Sequence, residues 1–295
     1  MSTPLEKITK QYPKCGPLSQ FRFDKSISFN CFRCGQTKTA KLITIYNDDW
    51  KKRICNGCYG YLLSIYDIKA GQLEIDDKIE KLIEVLIKHV DENQIKEQLA
   101  RIKLKSNKVN FLTSTTMKFF ATSEYVAQTL TKETNLDWSP AIIGLCKAFE
   151  LELIERFINP LKEFCKDLDF QEDDIIDKDF GKIASYCSGK TIKSPELGVV
   201  NHFLTTAINS KDRFSKSTFL NVGLKGFLNK LPNHNWIIDK DGLSDGIVTL
   251  TSNYRNKAAH TDELNENDYL KCKNLVFGEK GIIWELIISS ERRNI

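Results

Sequence analysis

The 295-residue chain lacks any apolar run long enough to cross a bilayer, which takes about 20 residues as a helix. Its strongest apolar stretch, Gly281 to Ile288, is much shorter and carries Glu285. No membrane partner is therefore expected. The N-terminal MSTPLEKITK has no apolar core of the kind that directs export. Low-complexity and collagen-like composition are missing as well, because 41% hydrophobic, 28% charged and 10% aromatic residues describe a globular chain. At about 100–200 residues per domain, the length suggests two domains. Neither sign of charge dominates, since 43 basic residues face 39 acidic ones. An even cysteine set is also absent. Nine cysteines without an export signal argue against a disulfide framework and for a reducing, cytoplasmic location.

What is present is unevenly placed. Residues 1–70 carry twelve Lys/Arg and five acids, a local net charge of +7, while the remainder carries −3. A basic head on a slightly acidic body points towards nucleic acid, although solubility alone also produces such an imbalance. The same segment holds Cys15, Cys31, Cys34, Cys55 and Cys58. The last four have the spacing C-x2-C-x20-C-x2-C. Two thiolates separated by two residues grip one metal ion when the chain turns tightly, and two such turns complete a tetrahedral site for zinc. Gly35 and Gly57 stand where the backbone must bend. Between the pairs, Lys41 to Tyr46 reads as a strand, residues 47–49 as a turn and Lys51 to Ile54 as a return strand. Tyr59, Leu62, Leu63 and Tyr66 then recur at helical spacing. This order of knuckle, hairpin, knuckle and helix resembles the treble-clef class of zinc fingers. Four thiolates close the metal's shell, so the zinc is expected to be structural. Cys15 reads either as a free thiol or as a substitute ligand. Cys146, Cys165, Cys187 and Cys272 lie among apolar neighbours and read as core residues.

Beyond the finger at 1–70 the pattern is helical, and the fold class expected is mainly α. Residues 71–110 form an amphipathic connector, with aliphatics from Ile75 to Ile102 at helical spacing, as one helix or two broken near Asp91–Asn93. Residues 106–137 are polar and rich in Thr and Ser. The third unit, 111–295, is expected to be an all-α bundle. Ser139-Pro140 reads as an N-cap with proline in the first turn of a helix reaching Leu161, apolar on most of its circumference. Further helices are predicted over 178–187, 196–209, 215–230, about 243–260, and 266–276 capped by Asn265. The tail, 282–289, reads as a short strand or a final helical turn.

The helix over 243–260 contains Arg255-Asn256-Lys257-Ala258-Ala259-His260. A guanidinium shaped to hold phosphate oxygens is paired with an imidazole able to move protons near neutral pH. These groups suffice for cutting RNA without metal. Five residues along an α-helix rotate by about 140°, so the two side chains share no face of a straight helix. They converge only if the helix ends or bends, or if a two-fold partner supplies the second pair. The spacing equally suits a solvated helix face with an arginine salt bridge and a capping histidine.

Arg-Asn-x-x-x-His late in an all-α domain resembles the HEPN superfamily (higher eukaryotes and prokaryotes nucleotide-binding), whose nucleolytic members use Arg-x4-6-His. The segment from Ser139 to Glu152 is similar to the long early helix of bacterial defence HEPN proteins. Pro195-Glu-Leu-Gly198 resembles the short helix start between that helix and the motif. The resemblance covers about residues 120–290. It implies a helical homodimer acting as a metal-independent endoribonuclease, a defence or toxin effector that leaves cyclic phosphate or 3′-phosphate ends. Under it, Arg255 clamps phosphate, His260 transfers protons, Asn256 orients them or the RNA, and Lys257 adds a phosphate contact. Glu150 and Glu152 are candidates to restrain Arg255. His89, His202 and His234 have no companions suggesting chemistry. The alternative is a non-catalytic dimerisation scaffold whose finger binds nucleic acid or a partner protein.

Overall fold

In the computed structural model, residues 6–88, 92–131, 137–260 and 263–290 are described. The chain is mainly α, with a small antiparallel sheet at its start. Strands β1 (Ile8–Gln11), β2 (Leu18–Asn30), β3 (Thr37–Tyr46) and β4 (Asp49–Ile54) are hydrogen-bonded in sequence order. The expected hairpin is present and longer than the sequence suggested. Asn47 and Asp48 both take positive φ, 51° and 56°, with Tyr46 facing Asp49 across the turn. That two-residue turn matches the right-handed twist of the flanking strands. The first two strands were not foreseen. Asp24, Lys25 and Ser26 interrupt the alternation of β2, and the β2–β3 register shifts between Arg22 and Ile27.

Helix α1 (Asn56–Ala70) buries Tyr61 and Ile65 in the same core as Ile43, Ile45 and Ile54. Gly16 precedes β2 with φ +55°, and a Cβ there would lie 2.2 Å from the Tyr66 ring of α1. Backbone strain and collision act together. Gly16→Ala is expected to lower stability by about 2–4 kcal/mol, read as a shifted urea midpoint at unchanged slope.

The connector is two helices, α2 (Ile75–Lys88) and α3 (Glu92–Lys105). Residues 89–91, with His89 and part of the expected break, lie outside the described residues. A 3-10 turn (Asn107–Phe111) leads to α4 (Ser114–Leu130), a helix that the polar composition of 106–137 concealed. Helix α5 (Ser139–Leu153) is central, with Ile142, Ile143, Leu145, Phe149 and Leu153 fully buried. Its cap differs from expectation. Ser139 is the first helical residue, and the Asp137 carboxylate accepts from its amide (3.0 Å) and hydroxyl (2.6 Å). A π-turn (Ile154–Ile158) carries it into α6 (Asn159–Cys165).

Short helices follow, α7 (Glu172–Ile176) and α8 (Gly181–Cys187), then α9 (Leu197–Asn209) and α10 (Lys211–Lys216). The expected helix over 215–230 is interrupted at its start, where α10 ends and Ser217 turns extended and hydrogen-bonds Asp174, and it then runs from Thr218 through a π-turn (Phe219–Leu224) into α11 (Lys225–Leu228). After α12 (His234–Ile238), α13 (Leu243–Leu250) runs through a π-turn (Thr251–Arg255) into α14 (Asn256–Ala259). Helix α15 (Glu266–Phe277) has the Asn265 cap, as a full capping box with Asp268. The tail is α16 (Ile282–Ser290), neither strand nor single turn; its apolar side chains other than the exposed Ile288 are buried, and it packs on α12, α13 and α15. Among the described residues, no helix is long and apolar enough to cross a membrane.

Sheet and helices share one continuous apolar core. Polar contacts reinforce the joint. Lys69 at the end of α1 pairs with Asp137 at 2.8 Å and donates to Ser139 Oγ at 3.1 Å, and Tyr46 donates to Glu263 at 3.0 Å. The sheet is thereby tied to residues just after the 255–260 segment.

Candidate functional site

The first site is built by the β2–β3 connection and the start of α1. Gly35 adopts φ +65°, which lets the chain reverse so that Cys31 N–H donates to Gln36 O and Gly35 N–H donates to Cys31 O, both at 2.9 Å. This turn presents Cys31 and Cys34. Cys55 is the N-cap of α1 and Cys58 lies in its first turn, where unpaired amides favour negative charge. The four Sγ atoms lie within 4.8 Å of one another. A tetrahedral ion with metal–sulfur bonds of about 2.3 Å needs sulfurs about 3.8 Å apart, so the set could hold a metal ion and is compatible with structural zinc.

The surroundings favour the thiolate at Cys31, whereas burial holds the Cys34 thiol above its ordinary pKa and the hydrogen bond to Cys31 does so at Cys58. The Cys55 amide donates to Cys31 Sγ at 3.3 Å, and Arg33 Nη1 donates to Cys58 Sγ at 3.7 Å. The Arg33 guanidinium is itself braced over the Tyr61 ring, 4.0 Å from its centroid. The Cys31 thiol is held below its ordinary pKa, chiefly by the hydrogen bond from Cys58, with burial opposing and backbone amides assisting. Cys31, Cys55 and Cys58 are buried and Cys34 is exposed. Cys15 stands outside the cluster. Its Sγ donates to Asp67 at 3.8 Å, and burial and the Asp67 carboxylate both push its pKa up, as suits a free thiol. The other four cysteines are buried as expected.

The second site centres on Arg255, at the end of the third π-turn. Such turns re-aim side chains and are common at functional positions. The residue is only 3% exposed. Nη2 donates to Asp76 Oδ1 at 2.5 Å, and Glu150 Oε2 stands 4.0 Å away. Glu150 also accepts from Lys147 Nζ at 2.6 Å and from the Leu197 amide at 3.1 Å. Burial alone would lower the Lys147 pKa, but Glu150 and Glu80 outweigh it and the pKa is raised. Gly198 faces Arg255 Nη1. The long helix α5, the start of α9 at Leu197-Gly198 and the 255–260 segment therefore meet at one guanidinium.

His260 lies elsewhere in character. Helix α14 ends at Ala259, and His260 takes extended backbone (φ −90°, ψ 174°) as its C-cap, with the side chain exposed. Asn256 is half-buried and Lys257 exposed. Among the described residues, no hydrogen bond joins Arg255 to His260. The geometry includes both parts of the bland alternative, an arginine ion pair and a histidine cap, except that the arginine is buried rather than solvated. Glu152 does not restrain Arg255. It is fully buried, accepts the Thr113 amide at 2.6 Å and pairs with Arg156. Asp76, 179 residues from Arg255, had no signal in the sequence beyond being an acid in the first turn of a helix. His202 is exposed and His234 half-buried.

No family model, curated protein or solved structure matches the chain.

Proposed function

We propose that this chain is a metal-independent endoribonuclease of the HEPN type, acting as a homodimer, with its N-terminal module a treble-clef-like finger stapled by one structural zinc ion. The observation that carries the reading is the meeting at Arg255 of three segments, 139–152, 195–198 and 255–260, that separately resemble that superfamily. One of them supplies a carboxylate 4.0 Å from the guanidinium, one places Gly198 alongside it, and one supplies the guanidinium itself.

In this reading Arg255 stabilises the charge that builds on the phosphorane. One His260 accepts the proton of the 2′-hydroxyl as that oxygen bonds to phosphorus. The partner's His260, in its protonated form, gives a proton to the departing 5′-oxygen. The P–O5′ bond breaks, leaving a 2′,3′-cyclic phosphate and a 5′-hydroxyl. The exposed end of α14 suits a histidine that works across a two-fold axis. Asn256 and Lys257 flank the pair as polar and phosphate contacts. Asp76 occupies the guanidinium edge that a phosphate needs, so cleavage requires that carboxylate to yield. The +7 charge of residues 1–70 suits a finger that recruits RNA, and a defence or toxin effector is the setting the resemblance implies.

The binding-only reading has its own observation, the near-complete burial of Arg255 between two acids, which suits a structural ion pair. Incubating purified protein with labelled RNA in excess EDTA separates the two. Cleavage that leaves cyclic ends and disappears in His260→Ala supports the nuclease. RNA that stays intact while bound would overturn it in favour of a scaffold with a working finger.

A further inference from the structure

Between α3, the 3-10 turn, α4 and the end of α15 lies a cavity of about 350 Å³, within the size range of small-molecule sites. It uses neither the cysteine cluster nor the Arg255 network. Its floor is apolar. Ile102, Val109 and Phe120 are buried there, and Phe277 stacks on Phe120 with ring centroids 3.9 Å apart. Trp284 closes one side, edge-on to Phe277, its indole N–H already given to Gly278 O at 2.9 Å.

Its rim holds four cations, Arg101, Lys105, Lys108 and Lys273, against two carboxylates, Glu124 and Glu279, a net charge of +2, and two of the cations already have partners. Lys273 pairs with Glu124 at 2.8 Å, and Lys108 donates to Glu279 O at 3.1 Å. Arg101 and Lys105 remain. Both are exposed, and neither has a hydrogen bond or ion pair with a described residue. Four residues apart on α3, they stand on one helix face. Glu124 is no free cation ligand, because Tyr269 also donates to it. An aromatic floor beneath two uncommitted cations selects for a flat apolar body with an anionic group, since the rings shed water and the guanidinium holds oxygens in a fork.

The geometry points to a binding site for a small aromatic anion, its ring system against Phe120 and Phe277 and its phosphate or carboxylate between Arg101 and Lys105. This site goes beyond the ribonuclease reading and does not depend on it.

Calorimetric titration of the full chain tests it, with 1-naphthyl phosphate, 1-naphthoate, 1-naphthol and inorganic phosphate as four separate probes. One aromatic anion per chain is expected to bind at least tenfold tighter than either naphthol or inorganic phosphate, and the two anions show which acid group is preferred. The exposed double variant R101A/K105A should weaken that binding at least tenfold at unchanged melting temperature, and raised salt should weaken it in the wild type. His260→Ala should bind as the wild type does, so failure here and failure of the nuclease are separable. Absence of binding, equal binding of naphthol, or binding indifferent to the double variant would each overturn the site.

Discussion

If zinc fills the cysteine cluster as proposed, stripping it with a strong chelator is expected to unfold the tip of the N-terminal sheet and the first turns of α1, and Cys31→Ser should do the same without a chelator. Structural zinc contributes about 10–16 kcal/mol of apparent binding energy in zinc-finger peptides, and that energy is folding energy. Here the sheet also has its own apolar side chains, among them Leu18, Phe23 and Ile43, so part of it is expected to survive. The tip differs. Cys31 is almost fully buried and accepts the Cys55 amide, so without an ion the β2–β3 turn and the start of α1 lose the group that joins them. Cys34 is exposed at the edge of the cluster, and Cys34→Ser should cost less than Cys31→Ser. Hydrogen exchange over residues 31–58, beside a metal count near one per chain, gives the readout. A chain holding no zinc, or one whose Cys31→Ser variant exchanges like the wild type, would remove the metal from the fold.

The legible parts of this chain were those whose signal is local. Cysteine spacing, an Asn-Asp turn and strand alternation made the β3–β4 hairpin readable, and aliphatic periodicity gave away α2, α3 and α5. Helix α4 was hidden by the feature that makes it pack closely. Its hydroxyls look like loop composition, yet Thr122 donates to Lys118 O, Ser123 to Ala141 O and Thr116 to Ala148 O. A small face results, and Gly144 of α5 sits against Ser123 so tightly that a Cβ would come within 3.0 Å of it. Helix α16 was ambiguous for the opposite reason. A short, continuous apolar run has no period to betray whether it is strand or buried helix. The sequence named Glu150 and Gly198 beside Arg255 but also Glu152, which pairs elsewhere, and it missed Asp76, which only the docking of α2 brings near.

The burial of Arg255 decides how the two motif residues will respond to mutation. Arg255→Ala removes the cation from a pocket where Glu150 is nearly fully buried, leaving a carboxylate with fewer partners. Breaking a buried ion pair from one side costs about 3–5 kcal/mol. Lys147 still neutralises Glu150, and Asp76 is partly open to water, so the low end, about 3 kcal/mol, is expected in urea melts. Loss of RNA cleavage in this variant alone would therefore prove little, since the site itself is loosened. His260 is exposed at the end of α14, and its replacement by alanine should leave stability within about 0.5 kcal/mol. If the imidazole moves protons in the reaction, the same change should slow cleavage by about 10²–10⁴-fold. Arg255→Lys completes the set. It keeps a cation beside Asp76 and Glu150 but loses the planar fork, so it should recover most of the stability and little of the activity. A histidine variant that melts and cleaves like the wild type would remove His260 from both chemistry and architecture, leave Arg255 as a structural ion pair, and require the chemistry to be sought elsewhere in the chain.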